Sequence, residues 1–80
     1  MYFVYLLKSI NFPDQTYIGF TTNIKTRVQV HNFGGSPHTA KYKPWILQGY
    51  VAFLDKYKAL EFEQYLKSHA GKAFTNKRLV

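Results

Sequence analysis

The sequence contains no cysteine. That absence excludes a disulfide scaffold, thiolate zinc sites and thiol nucleophiles. Acidic residues are nearly as scarce: Asp14, Asp55, Glu61 and Glu63 are the only four. A two-metal nuclease needs several converging carboxylates, which four acids spread along the chain can hardly supply. One divalent ion on one carboxylate is compatible with the count. No apolar run approaches the roughly 18 residues of a membrane span. The apolar residues 1–7 also lack the basic n-region and small-residue cleavage site of a signal peptide. The expectation is a cytoplasmic protein with no membrane association. Repeats, linkers, low-complexity tracts and composition breaks are missing too, so residues 1–80 are read as one domain.

What is present is basic and aromatic. Eleven Lys and Arg against the four acids give a net charge of +7, the footprint of a polyanionic partner, most often nucleic acid. A chain this short buries only about 60–65% of its unfolded surface, so its core has to be dense. With 46% hydrophobic and 19% aromatic residues, the composition supplies that density and excludes disorder.

Along the chain, residues 1–7 read as a buried strand and residues 11–15 (NFPDQ) as turn chemistry. Residues 16–20 return to β-type composition and form a hairpin with the first strand. Thr22 or Asn23 caps a helix over 24–32, which Gly34-Gly35 ends. Residues 35–44 (GSPHTAKYKP) read as a basic loop and residues 45–54 as a third strand. Asp55 caps a helix over 56–69 closed by Gly71, and residues 72–79 add a short basic helix. The order β-β-α-β-α predicts an α+β domain, a three-stranded antiparallel sheet flanked by helices.

Helix faces single out a few polar groups. Arg27 and His31 lie one turn apart, beside the apolar stripe that contains Ile24 and Val28. In the later helix the stripe is Ala59, Phe62, Leu66 and Ala70; Glu63 falls inside it, whereas Glu61 points nearly the opposite way. An ionised carboxylate on an apolar face needs a buried partner such as Arg27, an escape to water, or a metal ion.

Several catalytic patterns fail on this chain. Pro13-Asp14 begins like an acidic dyad, but no later Asp or Glu stands two residues before a Lys. No Gly-rich phosphate loop ends in Lys-Ser/Thr, and no Ser sits in a nucleophile elbow. His31, His38 and His69 have no paired-ligand spacing for zinc. Tyrosines in the hairpin, an Arg-His helix face and one inward Glu remain. These suit phosphodiester hydrolysis with a single Mg²⁺ or Mn²⁺ on the Glu, an Arg for growing phosphoryl charge, and a tyrosine as or beside the general base.

The chain resembles the GIY-YIG endonuclease superfamily over nearly its whole length. Phe3-Val4-Tyr5 stands at the first triplet, Tyr17-Ile18-Gly19 is the second, and 11 residues separate Tyr5 from Tyr17. The run TTNIKTRVQVHN places Arg27 and His31 on the family's helix, and Ala59-Leu60-Glu61-Phe62-Glu63 is similar to its metal-binding helix. The resemblance implies Mg²⁺-dependent hydrolysis of a DNA strand. It implies that Tyr5 and Tyr17 flank the attacking water, Arg27 contacts the phosphate, His31 assists proton movement and Glu63 binds the ion. Which tyrosine is the base stays open. The likeness extends to the small stand-alone bacterial members. Three departures stand out: Phe3 replaces the first glycine, Phe20 takes a position that is Lys in some repair nucleases, and Asn76 is the only counterpart of a polar C-terminal Asn.

Lys25, His38, Lys41 and Lys43 are the candidate phosphate contacts, with Tyr42 and Trp45 either stacking a base or sitting in the core. Lys72, Lys77 and Arg78 form a second basic cluster. Three functions compete: a structure-selective DNA endonuclease linked to repair or recombination, a nucleic-acid-binding module that cleaves weakly, and a nuclease subunit whose protein partner supplies targeting. RNA stays open as a substrate, and so does the oligomeric state.

Overall fold

The computed structural model describes residues 1–68. The expected closing Gly71, the basic helix over 72–79, Asn76 and the cluster of Lys72, Lys77 and Arg78 lie outside them. The elements are β1 (Tyr2–Ser9), β2 (Thr16–Thr21), α1 (Ile24–Asn32), α2 (Pro37–Ala40), β3 (Trp45–Phe53) and α3 (Lys56–Lys67). The strands form one antiparallel sheet in the order β2-β1-β3, so the expected α+β architecture is observed. Among the described residues no helix is long and apolar enough to cross a membrane.

β1 is the central strand, and helices cover both of its faces. Val4, Tyr5, Leu6 and Leu7 are all at most 1% exposed, which is why the sequence there is a continuous apolar run and not an alternation. On one face Val4 packs with Ala59 and Leu66 of α3, and Tyr2, Ile18, Phe20, Phe53 and Phe62 complete that layer. On the other face Tyr5 and Leu7 pack with Trp45, joined by Tyr17, Val28, Tyr42 and Leu47.

The pairing of β1 with β3 shifts once, because Leu6 faces Gly49 while Leu7 faces Leu47, leaving Gln48 as an extra residue. Trp45 and Leu47 therefore lie on the α1 face with Tyr50, the partner of Tyr5. Phe53, opposite Tyr2, lies on the α3 face, its ring 5.5 Å from that of Phe62.

Local chemistry sets the helix ends. Asn23 caps α1 by accepting the Thr26 N–H at 3.1 Å. At its other end Gly34 adopts φ +79°; its N–H bonds His31 O, and the Gly35 N–H bonds Val30 O. This double bond pattern closes a helix and favours glycine at the left-handed position. Asp55 caps α3 through the Tyr57 N–H at 2.8 Å.

One element departs from expectation. Within the segment read as a loop, Pro37–Ala40 forms a single helical turn, so the order is β-β-α-α-β-α. Tertiary bonds hold it: the Trp45 indole N–H donates to Thr39 O at 2.8 Å, and the Asn32 side chain clamps the Trp45 backbone from both sides, at 2.6 and 3.2 Å.

Candidate active site

The polar residues of the hairpin and α1 converge over Gly19. Tyr5 lies opposite Gly19 in the β1–β2 ladder, and its ring lies against the backbone of that glycine. A Cβ on Gly19 would sit 2.3 Å from Tyr5 Oη and 2.4 Å from Cζ, well inside van der Waals contact. The glycine of the second triplet is thus required by the approach of the tyrosine ring. Phe3, where the first triplet departs from glycine, occupies an ordinary strand position with its ring edge-on to Tyr50 at 5.8 Å. Phe20 stacks on Tyr2 at 6.1 Å in the α3 layer, away from this cluster.

Above the sheet, α1 delivers both expected side chains to the same phenol. Arg27 Nε donates to Tyr5 Oη at 3.4 Å, and His31 Nε2 lies 3.0 Å from that oxygen. The Tyr17 ring approaches to 4.9 Å from the His31 ring and 6.3 Å from that of Tyr5. The other imidazole nitrogen, Nδ1, lies 2.8 Å from Thr39 Oγ1. Tyr5, His31 and Thr39 are each at most 1% exposed, while Tyr17 and Arg27 are half-buried and form the solvent side of the cluster.

Burial and charge tune these groups. Loss of hydration raises the Tyr5 pKa above its ordinary value; the Arg27 hydrogen bond opposes this, and the charge of Glu63 adds to the rise. Arg27 is pushed up, first by its bond to Tyr5. Burial, followed by the positive charge of Arg27, lowers the His31 pKa, so the ring is neutral at physiological pH. The linkage has a definite sign. Below the ordinary histidine pKa of about 6.5 the unfolded chain takes up a proton that the folded chain refuses. Folding stability is therefore expected to fall as the pH drops through about 6.5, levelling off below the depressed folded value. Urea midpoints measured across this range check it: the loss should persist when the exposed His38 is replaced by Asn and shrink in His31→Asn.

Glu63 sits on the sheet-facing side of α3 with its side chain 12% exposed, whereas Glu61 is exposed, as the helix face required. Its partner is Lys67, one turn on, at 3.2 Å, rather than the Arg27 considered from sequence. Arg27 is instead engaged by the Tyr5 phenol.

The remaining candidates fall elsewhere. Lys25 lies on the opposite flank of α1 from Arg27, beside an apolar groove lined by Phe3, Val28 and Tyr50. His38, Lys41 and Lys43 are exposed on and after α2, the element that reaches His31 through Thr39. Trp45 is 4% exposed and belongs to the core, and the half-buried Tyr42 packs edge-on against it at 6.4 Å. Thr39 and Asn32 were not among the sequence candidates, since a hydroxyl in a polar segment and an amide at a helix end carry no periodic signal.

A family model of the GIY-YIG catalytic domain matches residues 1–78. The chain belongs to this family. Among relatives of the GIY-YIG domain, a structure-specific endonuclease subunit SLX1 homolog from Drosophila mojavensis is 41% identical over 71 residues, covering 78% of this chain and 23% of its own length. The SLX1 structure-specific endonuclease subunit of Candida dubliniensis is 41% identical over 73 residues, covering 82% and 26%. That of Malassezia globosa is 36% identical over 77 residues, covering 90% and 17%. The chain thus spans about a quarter or less of these curated relatives. These relatives are far longer chains, and the likeness to them is that of a nuclease domain.

Proposed function

We propose that this GIY-YIG domain hydrolyses phosphodiester bonds in DNA and selects branched or flapped structures of the kind that arise in repair and recombination. The observation that carries the reading is the Tyr5 phenol, held between a permanent cation and a neutral imidazole. That arrangement suits a general base whose own proton has a destination. In the step we propose, an attacking water enters from the Tyr17 and Arg27 side, where the cluster meets solvent, and gives a proton to Tyr5 Oη as the phenol proton passes to His31 Nε2. The water oxygen bonds to phosphorus and the ester P–O bond on the far side breaks, its electron pair going with the departing oxygen, which takes a proton from water. Arg27 faces the phenol oxygen while negative charge resides there, and its remaining N–H groups face the scissile phosphate. This favours Tyr5 over Tyr17 as the base; Tyr17, nearer the solvent, orients the water. Lys25, His38, Lys41 and Lys43 supply phosphate contacts that hold the strand without reading its sequence.

The donor set suits one hard cation. Glu63 is a largely buried carboxylate whose position a Lys67 ammonium already shares, and its charge is felt at Tyr5. Among the described residues no group of three His, Cys, Asp or Glu converges, so a closed protein cage does not fit, whereas Mg²⁺ or Mn²⁺ on one carboxylate and waters does. When bound, such an ion supplies charge neutralisation at the phosphate oxygens.

The test is cleavage of a panel of flaps, forks, nicks, single strands and plain duplex with Mg²⁺, Mn²⁺ or chelator. Chelation and Glu63→Ala are each expected to abolish cutting while DNA binding is largely kept; undiminished cutting by Glu63→Ala would refute the ligand assignment. A second reading, a subunit that needs a protein partner for targeting, is supported by the word subunit in the relatives' names and by the small fraction of their length that this chain spans. Binding without cutting, identical in wild type and Glu63→Ala, would favour it.

A further inference from the structure

We propose that Thr39 is a positioning residue for the Tyr5–His31 pair: its hydroxyl holds His31 in the tautomer with hydrogen on Nδ1, leaving Nε2 open to the phenol proton. The inference rests on the nuclease reading above for its catalytic meaning, but the tautomer assignment stands on geometry alone.

Two ends of one hydrogen-bonded chain demand the same proton placement. At the Thr39 end, Oγ1 has a single hydrogen and two neighbours, Ser36 O at 3.3 Å and His31 Nδ1 at 2.8 Å. Both contacts are filled together only when the hydroxyl donates to the carbonyl, which can only accept, and Nδ1 is the donor in the shorter one. At the Tyr5 end, Arg27 Nε–H can only donate, so the phenol oxygen accepts from it at 3.4 Å. The phenol hydrogen then points to His31 Nε2 at 3.0 Å, which has to be the bare nitrogen. The reverse tautomer would aim two N–H groups at one phenol oxygen and leave the phenol hydrogen with no acceptor. It would also set the threonine hydroxyl to serve Nδ1 and the Ser36 carbonyl with one hydrogen.

Water cannot substitute for Thr39 here, because His31 is 0% and Thr39 1% exposed. Nor is the hydroxyl placed by His31 alone. The Thr39 carbonyl is tied to the Trp45 indole, and the Trp45 backbone to Asn32 of α1, so α2 is fixed against the C-terminal end of the same helix that carries His31. The charged and titratable groups around the imidazole are Tyr5 from β1, Tyr17 from β2 and Arg27 from α1, while α2 contributes only the neutral threonine. The sense of a histidine's proton is set by what its second nitrogen bonds, and here that partner is Thr39.

The experiment compares wild type, Thr39→Val and Thr39→Ser. Histidine-labelled protein is read by ¹⁵N NMR at a pH where the ring is neutral, and the pH profile of flap cleavage is measured alongside. Wild type and T39S are expected to carry hydrogen on Nδ1. T39V, which keeps the shape and loses the hydroxyl, is expected to shift His31 toward the Nε2–H form. Its cleavage should drop on the order of 10–100-fold, the scale known for loss of the outer partner of a metal-bound histidine, with an altered pH profile and T39S restoring most of the rate. Wild-type His31 with hydrogen on Nε2 would overturn the proposal, as would a T39V protein with unchanged tautomer and rate. If T39V does not fold, the wild-type and T39S spectra decide. Absence of cleavage with hydrogen on Nδ1 would overturn cutting by this domain alone while supporting the positioning of His31 by Thr39.

Discussion

Arg27→Ala is expected to lower the cleavage rate by roughly 10²–10³-fold, the effect of removing one preorganised donor from a site of developing charge. Binding of the same DNA should weaken by no more than about tenfold, the loss of about 1.4 kcal/mol, because the other basic residues still hold the strand. The asymmetry follows from geometry. Arg27 donates to the Tyr5 phenol through Nε, so in the proposed step its removal strips the cation from the base as well as from the phosphate. Arg27→Lys should recover only part of the rate, since an ammonium restores charge but not the planar fork that reaches both groups. Single-turnover cleavage and filter binding of one labelled flap measure both quantities. Equal losses in the two would show that Arg27 is a plain phosphate contact.

Gly19→Ala is expected to cost about 1–3 kcal/mol of stability, the range for overpacking a well-filled core, and to reduce cleavage by more than that loss explains. The added methyl group would meet Tyr5 Oη, Cζ and Cε1, all within 2.9 Å. The ring cannot swing aside, since it is 1% exposed and pinned by Arg27 and His31. It has to move as a unit, and its oxygen leaves both partners. A double-mutant cycle with Tyr5→Ala separates this from a general effect on β2: once the ring is gone, Gly19→Ala should cost little. A cost that is the same in both backgrounds would place the strain in the strand instead of at the ring.

Much of this site is legible in the sequence because its main parts obey periods. Arg27 and His31 are one helical turn apart, and that spacing alone puts them on one face; the structure adds that the face meets Tyr5. Glu63 stands out by lying in an apolar stripe, and its side chain is indeed largely buried. Its ion partner could not be read the same way, because choosing between Lys67 and Arg27 depends on what else Arg27 touches. The short α2 escapes notice for a different reason. Four residues make no repeat, and the bond that stabilises the turn comes from the Trp45 indole across space. The importance of Gly19 likewise depends on a neighbour in the ladder, with nothing in its own flanking residues to disclose why a side chain is forbidden there.

The extra residue in β3 makes the length of that strand a matter of parity. Ahead of Gln48 the odd-numbered residues Trp45 and Leu47 turn toward α1; beyond it the even-numbered Tyr50 does so, and odd-numbered Phe53 serves α3. The parity of the strand therefore reverses at Gln48, and a single count joins its two halves. Pairing Gln48 with Leu7 in regular register, while the far half keeps its pairing, would invert the near half. The Trp45 indole would leave Thr39 and its backbone would leave Asn32, so His31 would lose its support with every residue of the site still present. A one-residue slip of register at the sheet's outer strand is thus as consequential for the imidazole as a substitution beside it.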